Sequence, residues 1–169
     1  MPAAGFKLVD MEKVLPPQTE RGAGFEPARV RQFTIFLENR VGRLQALVRA
    51  LEQADDPIRA LTIEESADAA LVRLICADAD AAREALRQAA FSFSESELIA
   101  VEFPKRNAQP LISICSALLA AEINIHYLYP FLLRPRGPAL ALYVDDPTVA
   151  AQQLIRKGFT LIADSDLRK

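Results

Sequence analysis

The feature that most constrains the fold of this 169-residue chain is a pattern of strands and helices that occurs twice. In residues 31–96, apolar periodicity predicts the order strand, helix, strand, strand, helix, strand, and residues 97–165 repeat that order. Equivalent apolar positions are Leu37 and Phe103, Leu44 and Leu111, Ile58 and Ile125, Leu74 and Leu142, and Phe91 and Phe159. The offset drifts by only two residues, and both insertions fall in loops, as expected of a duplicated unit.

The repeat predicts an α+β fold of two ferredoxin-like βαββαβ units, each an antiparallel sheet with its helices on one face. In the first unit, strands are expected over 32–38, 58–64, 70–77 and 91–95, and helices over 43–54 and 81–90. In the second unit, strands are expected over 98–103, 123–133, 139–144 and 159–163, and helices over 110–121 and 146–157. Units of about 65 residues fold only marginally alone and leave sheet edges to cover. We therefore expect the two sheets to lie side by side, with all helices on a common face.

The ends of the chain differ from the repeat. Residues 1–30 hold four of the 11 prolines and three of the six glycines, which predicts an N-terminal arm rather than a long helix or central strand. Residues 31–96 and 97–165 are then two domains, and residues 166–169 a C-terminal tail.

Composition narrows the class of protein. Hydrophobic residues make up 51% of the chain and charged residues 25%, which is enough apolar surface for a core. A net charge of -2 gives no general attraction to nucleic acid or anionic membrane, and no apolar run approaches the roughly 18 residues of a membrane span. No secretion signal is recognisable, and the two cysteines are too few for a disulfide framework, so we expect a cytoplasmic protein.

Residues suited to catalysis are scarce. The single histidine, His126, lies in an alternating strand, and Cys76 and Cys115 lie among apolar neighbours, as core residues do. No acidic pair has metal-ligand or acid–base spacing, and an RNA-binding sheet would need more exposed aromatics than Tyr143. A small acylphosphatase-like enzyme would need a glycine-rich anion loop, and the loop around Arg40 is poor in glycine. The sequence predicts no enzyme, no metal and no cofactor.

The turn after the first strand offers a binding chemistry instead. It reads LENRVGRL (residues 37–44), so a helix starts directly after a glycine turn. The free N–H groups of a helix N-terminus suit a carboxylate, while Glu38 suits an ammonium group and Asn39 can donate and accept. In the alternative interpretation, Asn39 only caps the helix and Gly42 only permits the turn.

Several segments resemble the ACT-domain family of regulatory modules, over residues 31–165. They are LENRVGRL, IRALTIEES (58–66), VEFP (101–104), INIHYLYPF (123–131) and YVDDP (143–147). The chain is most similar to stand-alone proteins with two ACT domains. The resemblance implies that an amino acid binds where a first loop meets the second strand of a neighbouring domain. It also implies a homodimer and a regulated enzyme or protein partner.

The resemblance predicts one composite site. The first loop keeps the family's glycine, and the second half keeps Ile-Asn-Ile at the start of its second strand. The expected site residues are Glu38, Asn39, Arg40, Val41, Gly42, Arg43, Asn124, Ile125 and His126. The opposite combination is expected to bind weakly because its loop lacks both proline and glycine; it consists of Lys105, Arg106, Asn107, Ala108, Pro57 and Ile58. The alternative is a dimerisation module whose ligand sites have decayed.

Overall fold

The structure is a computed structural model that describes residues 27–38, 40–65, 69–105 and 108–168. The first unit comprises β1 (Val30–Glu38), α1 (Arg43–Gln53), β2 (Ile58–Glu65), β3 (Ala69–Cys76), α2 (Ala79–Gln88) and the first part of β4 (Ser92–Glu102). The second unit comprises the rest of β4, α3 (Pro110–Leu119), β5 (Ile125–Leu133), β6 (Gly137–Val144), α4 (Pro147–Arg156), β7 (Leu161–Ile162) and α5 (Asp164–Leu167). The two predicted ferredoxin-like units are confirmed. The predicted arm lies outside the described residues except for its last four.

Strand β4 belongs to both units. Two separate strands were expected over 91–95 and 98–103, but the segment contains no glycine or proline to interrupt it, and it forms one strand. Its first part pairs with β1, from Phe36 opposite Ser92 to Val30 opposite Leu98, and its last part pairs with β6 and β7. The strand order is therefore β2-β3-β1-β4-β6-β5, and the predicted domain boundary at residue 96 falls inside β4.

Local geometry repeats between the units. Asp55 and Glu122, which follow α1 and α3, have φ values of 54° and 56°, and Ala90 and Gly158, which follow α2 and α4, also have positive φ. Strands β2 and β5 each carry a register shift directly after their first residue. Left-handed residues and bulges are rare, so their recurrence at equivalent positions supports the duplication.

Each unit buries its own core between its sheet and its two helices. In the first unit this core contains Phe33, Ile35, Leu37, Leu47, Leu51, Val72, Leu74, Cys76 and Leu86. In the second unit it contains Ile99, Val101, Ile114, Leu118, Leu140, Leu142, Val144 and Leu154. Helices therefore cover one face of each sheet, as predicted.

β4 joins the two sheets side by side, as expected, and its residues Phe93, Ile99 and Val101 face the helices of the two units from the same side of the strand. The faces that the helices leave bare also pack against each other, which was not predicted. A third buried cluster draws on both units, with Val30, Ala60 and Ile75 from the first and Ala100, Tyr129, Phe131, Leu133, Ala139 and Ala141 from the second. Strand β6 shows why: Leu140 and Leu142 face the helices, while Ala139 and Ala141 face the other sheet. A strand buried on both sides is apolar at successive positions rather than at alternate ones.

A polar network lies inside this contact. Gln32 is fully buried; its Nε2 donates to Tyr127 Oη at 2.7 Å, and its Oε1 accepts from Tyr129 Oη at 2.8 Å. The guanidinium of Arg73 lies 4.4 Å from the ring centroid of Tyr127. Side chains of β1 and β3 thus bind side chains of β5.

The C-terminal residues fasten the second unit to the first. The predicted tail instead contributes to helix α5, whose Leu167 is buried in the shared cluster. Asp164 accepts the backbone N–H of Arg31 at 2.9 Å and its Nε at 2.7 Å, and Arg59 Nε donates to the carbonyl of Leu167 at 2.9 Å. No helix within the described ranges is long and apolar enough to cross a membrane.

Candidate functional site

The loop between β1 and α1 opens onto a cleft of about 240 Å³. Five apolar side chains form its wall, namely Leu37, Leu44, Ile63, Ala70 and Val72. Four charged side chains complete its lining, namely Glu38, Arg40, Arg43 and Glu65. The cleft therefore combines an apolar surface with groups of both charges at the start of a helix.

Gly42 fixes the shape of this loop. It is the N-cap residue of α1 and has φ +87°, a left-handed conformation that side chains with a Cβ rarely adopt. A Cβ at Gly42 would meet nothing within 4 Å, so the constraint is the backbone conformation and not crowding at the loop. The N–H of Ala46 donates to the carbonyl of Gly42 at 2.9 Å, which starts the helix. The first N–H groups of α1, at the positive end of its dipole, therefore lie beside the cleft.

Arg43 is the best-positioned cation of the cleft. Its guanidinium carbon lies 5.4 Å from the ring centroid of Phe91, an arrangement that orients the side chain. Its Nε is buried and has no hydrogen-bond partner among the described residues. By contrast, Arg40 pairs with Glu38 at 3.4 Å between two well-exposed side chains. A buried unpaired N–H favours an acceptor, so Arg43 is suited to a carboxylate.

The structure divides the predicted site residues between the two units. Glu38, Arg40 and Arg43 line the cleft, Val41 is fully exposed, and Asn39 lies outside the described residues. Asn124, Ile125 and His126 lie at the start of β5, in the second unit. The N–H of Asn124 donates to Asp145 Oδ1 at 3.2 Å, Ile125 pairs with Val144, and the ring of His126 is 5.5 Å from that of Tyr143. None of these three residues lines the cleft.

The second predicted combination is likewise separate. Arg106 and Asn107 lie outside the described residues. Pro57 and Ile58 line a different cleft of about 470 Å³, beside Glu52 and Asp56, and Lys105 and Ala108 do not line it.

Asp56 is a residue that the sequence analysis missed. Its side chain is buried, Oδ1 accepts the N–H of Asp78 at 2.8 Å, and Oδ2 has no partner among the described residues. Burial raises the pKa of the Asp56 carboxyl, and burial together with Asp56 raises the pKa of the neighbouring Cys76 thiol. Comparison of the two halves could have indicated Asp56, because the equivalent residue of the second unit is the apolar Ile123.

Groups for metal chemistry do not converge in the described parts of the chain. No three histidine, cysteine, aspartate or glutamate side chains there could hold a metal ion.

Comparisons with known proteins identify the family. The family described as ACT domain pair matches residues 28–169. A structure of the protein BT0572 from Bacteroides thetaiotaomicron is 28% identical, with a TM-score of 0.77 over 85% of this chain and 98% of that one. The regulatory subunit of aspartate kinase from Thermus thermophilus is 10% identical, with a TM-score of 0.53 over 78% of this chain and 93% of that one. No curated protein matches.

The family match spans most of the sequence, and two βαββαβ units are what the structure contains. Pairs of such domains are typical of regulatory proteins that bind small molecules. We conclude that the chain belongs to the ACT domain pair family.

Proposed function

We propose that this chain is a non-enzymatic, cytoplasmic regulatory protein that binds an amino acid in the cleft between β1, α1 and β2. The observation that carries the proposal is the buried Nε of Arg43, which has no hydrogen-bond partner among the described residues and belongs to a side chain that lines the cleft. Arg43 and the first N–H groups of α1 would bind the α-carboxylate. Glu38 and Glu65 would face the ammonium group, and Leu44 and Ile63 the side chain.

The size of the cleft favours a small ligand. Pockets for drug-sized molecules range from about 300 to 1,000 Å³, and this cleft is smaller. If the charged lining residues bind the α-carboxylate and the ammonium group, the five apolar residues are left for the ligand's side chain. We therefore expect an amino acid with a short aliphatic side chain to bind more tightly than a charged one. Ligand binding in the cleft would then change the activity of a regulated enzyme or other protein partner.

Asn124, Ile125 and His126 remain in the proposal as a second set of contacts. Because they do not line the cleft within one chain, another copy in a homodimer would have to supply them. Asn124→Ala tests this contribution, since it should weaken binding only if the start of β5 contacts the ligand.

Titration calorimetry and thermal unfolding with each common amino acid test the proposal. A ligand at a hundred times its Kd should stabilise the wild type by about 2.7 kcal/mol. Arg43→Gln should weaken binding by about tenfold or more, because a charged hydrogen bond contributes roughly 1.5–3 kcal/mol. Arg49→Gln is the matched control, an exposed arginine on the same helix outside the cleft. Equal binding by wild type and Arg43→Gln would show that the ligand binds elsewhere.

A dimerisation module with decayed ligand sites is the second candidate. It is favoured by the exposed apolar side chains of α3 and β5, two elements without aspartate, glutamate, lysine or arginine. These side chains are Ile112, Leu119, Leu128 and Leu132. If no amino acid binds the wild type and the chain still self-associates, this candidate replaces the sensor.

A further inference from the structure

The second unit contains a cleft of about 450 Å³ between α3 and the turn that follows α4. Ser113 and Ser116 of α3 line one side of it, and Lys157 and Phe159 line the other. The volume lies within the range of about 300–1,000 Å³ that is typical of small-molecule sites. No residue is shared with the cleft beside β1 and α1, so this is a separate cavity of ligand size.

Phe159 lines this cleft with a half-buried aromatic ring. In the first unit the equivalent ring, that of Phe91, is covered by the guanidinium of Arg43 at 5.4 Å from its centroid. The residue equivalent to Arg43 is Pro110, which has no cation to place over a ring. No cation of the described residues lies over Phe159. The ring is therefore available as a flat apolar surface for a ligand.

The polar groups that the cleft offers to a ligand are hydrogen-bond donors. Lys157 carries the one charge among the lining residues, and its ammonium group makes no ion pair with the described residues. The hydroxyl of Ser113 donates to the carbonyl of Gln109 at 3.0 Å, whereas the hydroxyl of Ser116 makes no hydrogen bond to the described residues. Neither α3 nor α4 contains an aspartate or glutamate. An anion would therefore meet a cation and a hydroxyl without competition from these helices.

The first unit shows that the fold does not require this set of groups. At the position of Ser116 it has Arg49, and at the position of Lys157 it has Ala89. Its own groove between α1 and α2 is lined by alanine, glutamine and Glu84, and no lysine or arginine lines it. A cation beside an aromatic ring is thus a feature of the second groove, and not a consequence of packing two helices on a sheet.

We propose that this cleft binds a small carboxylic acid that has an apolar, preferably aromatic, body and no ammonium group. Lys157 pairs with the carboxylate, Ser116 donates a second hydrogen bond to it, and the body lies against Phe159. One lysine matches the single charge of a carboxylate better than the double charge of a phosphate monoester. An α-ammonium group would lie near Lys157 with no carboxylate in the lining to pair with it, so an amino acid binds more weakly here. The inference does not depend on the proposed amino-acid cleft, because the two linings are separate.

Titration calorimetry of the full chain with 3-phenylpropanoate tests the proposal. Lys157→Met should raise the dissociation constant about fivefold or more, and Ser116→Ala about twofold or more. Lys105→Met is the matched control, because it makes the same change at an exposed lysine of the same unit that does not line the cleft. It should bind as the wild type does, and so should Arg43→Gln. Both residues of the cleft that are replaced are exposed, so the variants should fold, which circular dichroism checks.

Two related compounds and an NMR titration locate the binding. Phenylalanine differs from 3-phenylpropanoate by its ammonium group, and 3-phenylpropanamide lacks the charge, so both should shift the amide resonances of Ser116 and Gly158 less than 3-phenylpropanoate does. No binding of 3-phenylpropanoate by the wild type would overturn the proposal. Equal weakening by Lys157→Met and Lys105→Met would show a general attraction of charge instead of a site. Loss of binding in Arg43→Gln would place the compound in the other cleft and would also overturn the proposal.

Discussion

Replacing Tyr129 with phenylalanine removes one hydroxyl from the contact between the two sheets. That hydroxyl donates to Oε1 of the fully buried Gln32 at 2.8 Å. Among the described residues, Oε1 of Gln32 accepts no other hydrogen bond. The substitution keeps the ring and its packing. It therefore tests whether the buried amide holds the two units together.

The expected loss follows from the burial of both groups. A buried acceptor left without its donor costs about 1–3 kcal/mol of stability. For a chain of this length, 1 kcal/mol lowers Tm by roughly 2–4 °C, so Tyr129→Phe should lower Tm by roughly 2–12 °C. Tyr143→Phe is the control. Its ring is 36% exposed, and its hydroxyl makes no hydrogen bond to the described residues. This substitution should change the free energy of unfolding by less than about 0.5 kcal/mol.

Urea unfolding at a fixed protein concentration measures these changes. A double-mutant cycle with Gln32→Leu separates the hydrogen bond from the packing, because removing both partners should cost less than the sum of the single changes. The difference should be about 0.5–3 kcal/mol. Additive effects, or a Tyr129→Phe protein as stable as Tyr143→Phe, would refute the idea that this network stabilises the contact between the sheets.

Three further predictions concern Asp56, Arg31 and Gly42. Burial raises the pKa of the Asp56 carboxyl, so the wild type loses stability as pH rises through that pKa and the buried carboxyl ionises. Asp56→Asn should therefore unfold at a higher urea concentration than the wild type at pH 7. The difference between the two urea midpoints should close as pH falls towards about 4. Equal pH profiles would contradict this assignment. Arg31→Gln removes the ion pair with Asp164, so hydrogen exchange should accelerate in α5 but not in α4. Gly42→Ala, at φ +87°, should cost about 1–2 kcal/mol in denaturant unfolding, and a smaller loss would show that the loop relaxes.

Sequence periodicity was sufficient to predict the two units. Asp146 accepts N–H groups of the first turn of α4 at the predicted helix start, and Pro110 lies at the start of α3 as predicted. Asp78 accepts N–H groups of the first turn of α2, which begins at Ala79, two residues before the predicted start. Such features depend on neighbours within a few residues, which the sequence shows directly.

The packing of one sheet on the other depends on distant residues, and periodicity gave no measure of it. Arg31 and Asp164 are 133 residues apart, and the short strand β7 and helix α5 are held largely by such contacts. The apolar run Ala139–Val144 did carry a signal, because successive apolar residues indicate a strand covered on both faces.

The candidate site was predictable only where it lies in one segment. Glu38, Arg40 and Arg43 belong to the predicted loop and line the cleft, and ligand binding by them stays a prediction. Ile63 and Glu65 were missed because they reach the cleft from β2, which approaches the loop only when the sheet forms. Asn124 was predicted from family resemblance, which does not say how units of one chain are oriented.

The shared strand β4 has a consequence for the history of the protein. Because β4 is both the last strand of the first sheet and the first strand of the second, we expect neither unit to be stable as a separate gene product. A chain that starts at Leu98 lacks β1, the neighbour of β4 in the first sheet. A chain that ends at Glu102 leaves the apolar residues of β4 without β6. Loss of either unit would therefore expose part of the shared strand, and we expect the two copies to be inherited together.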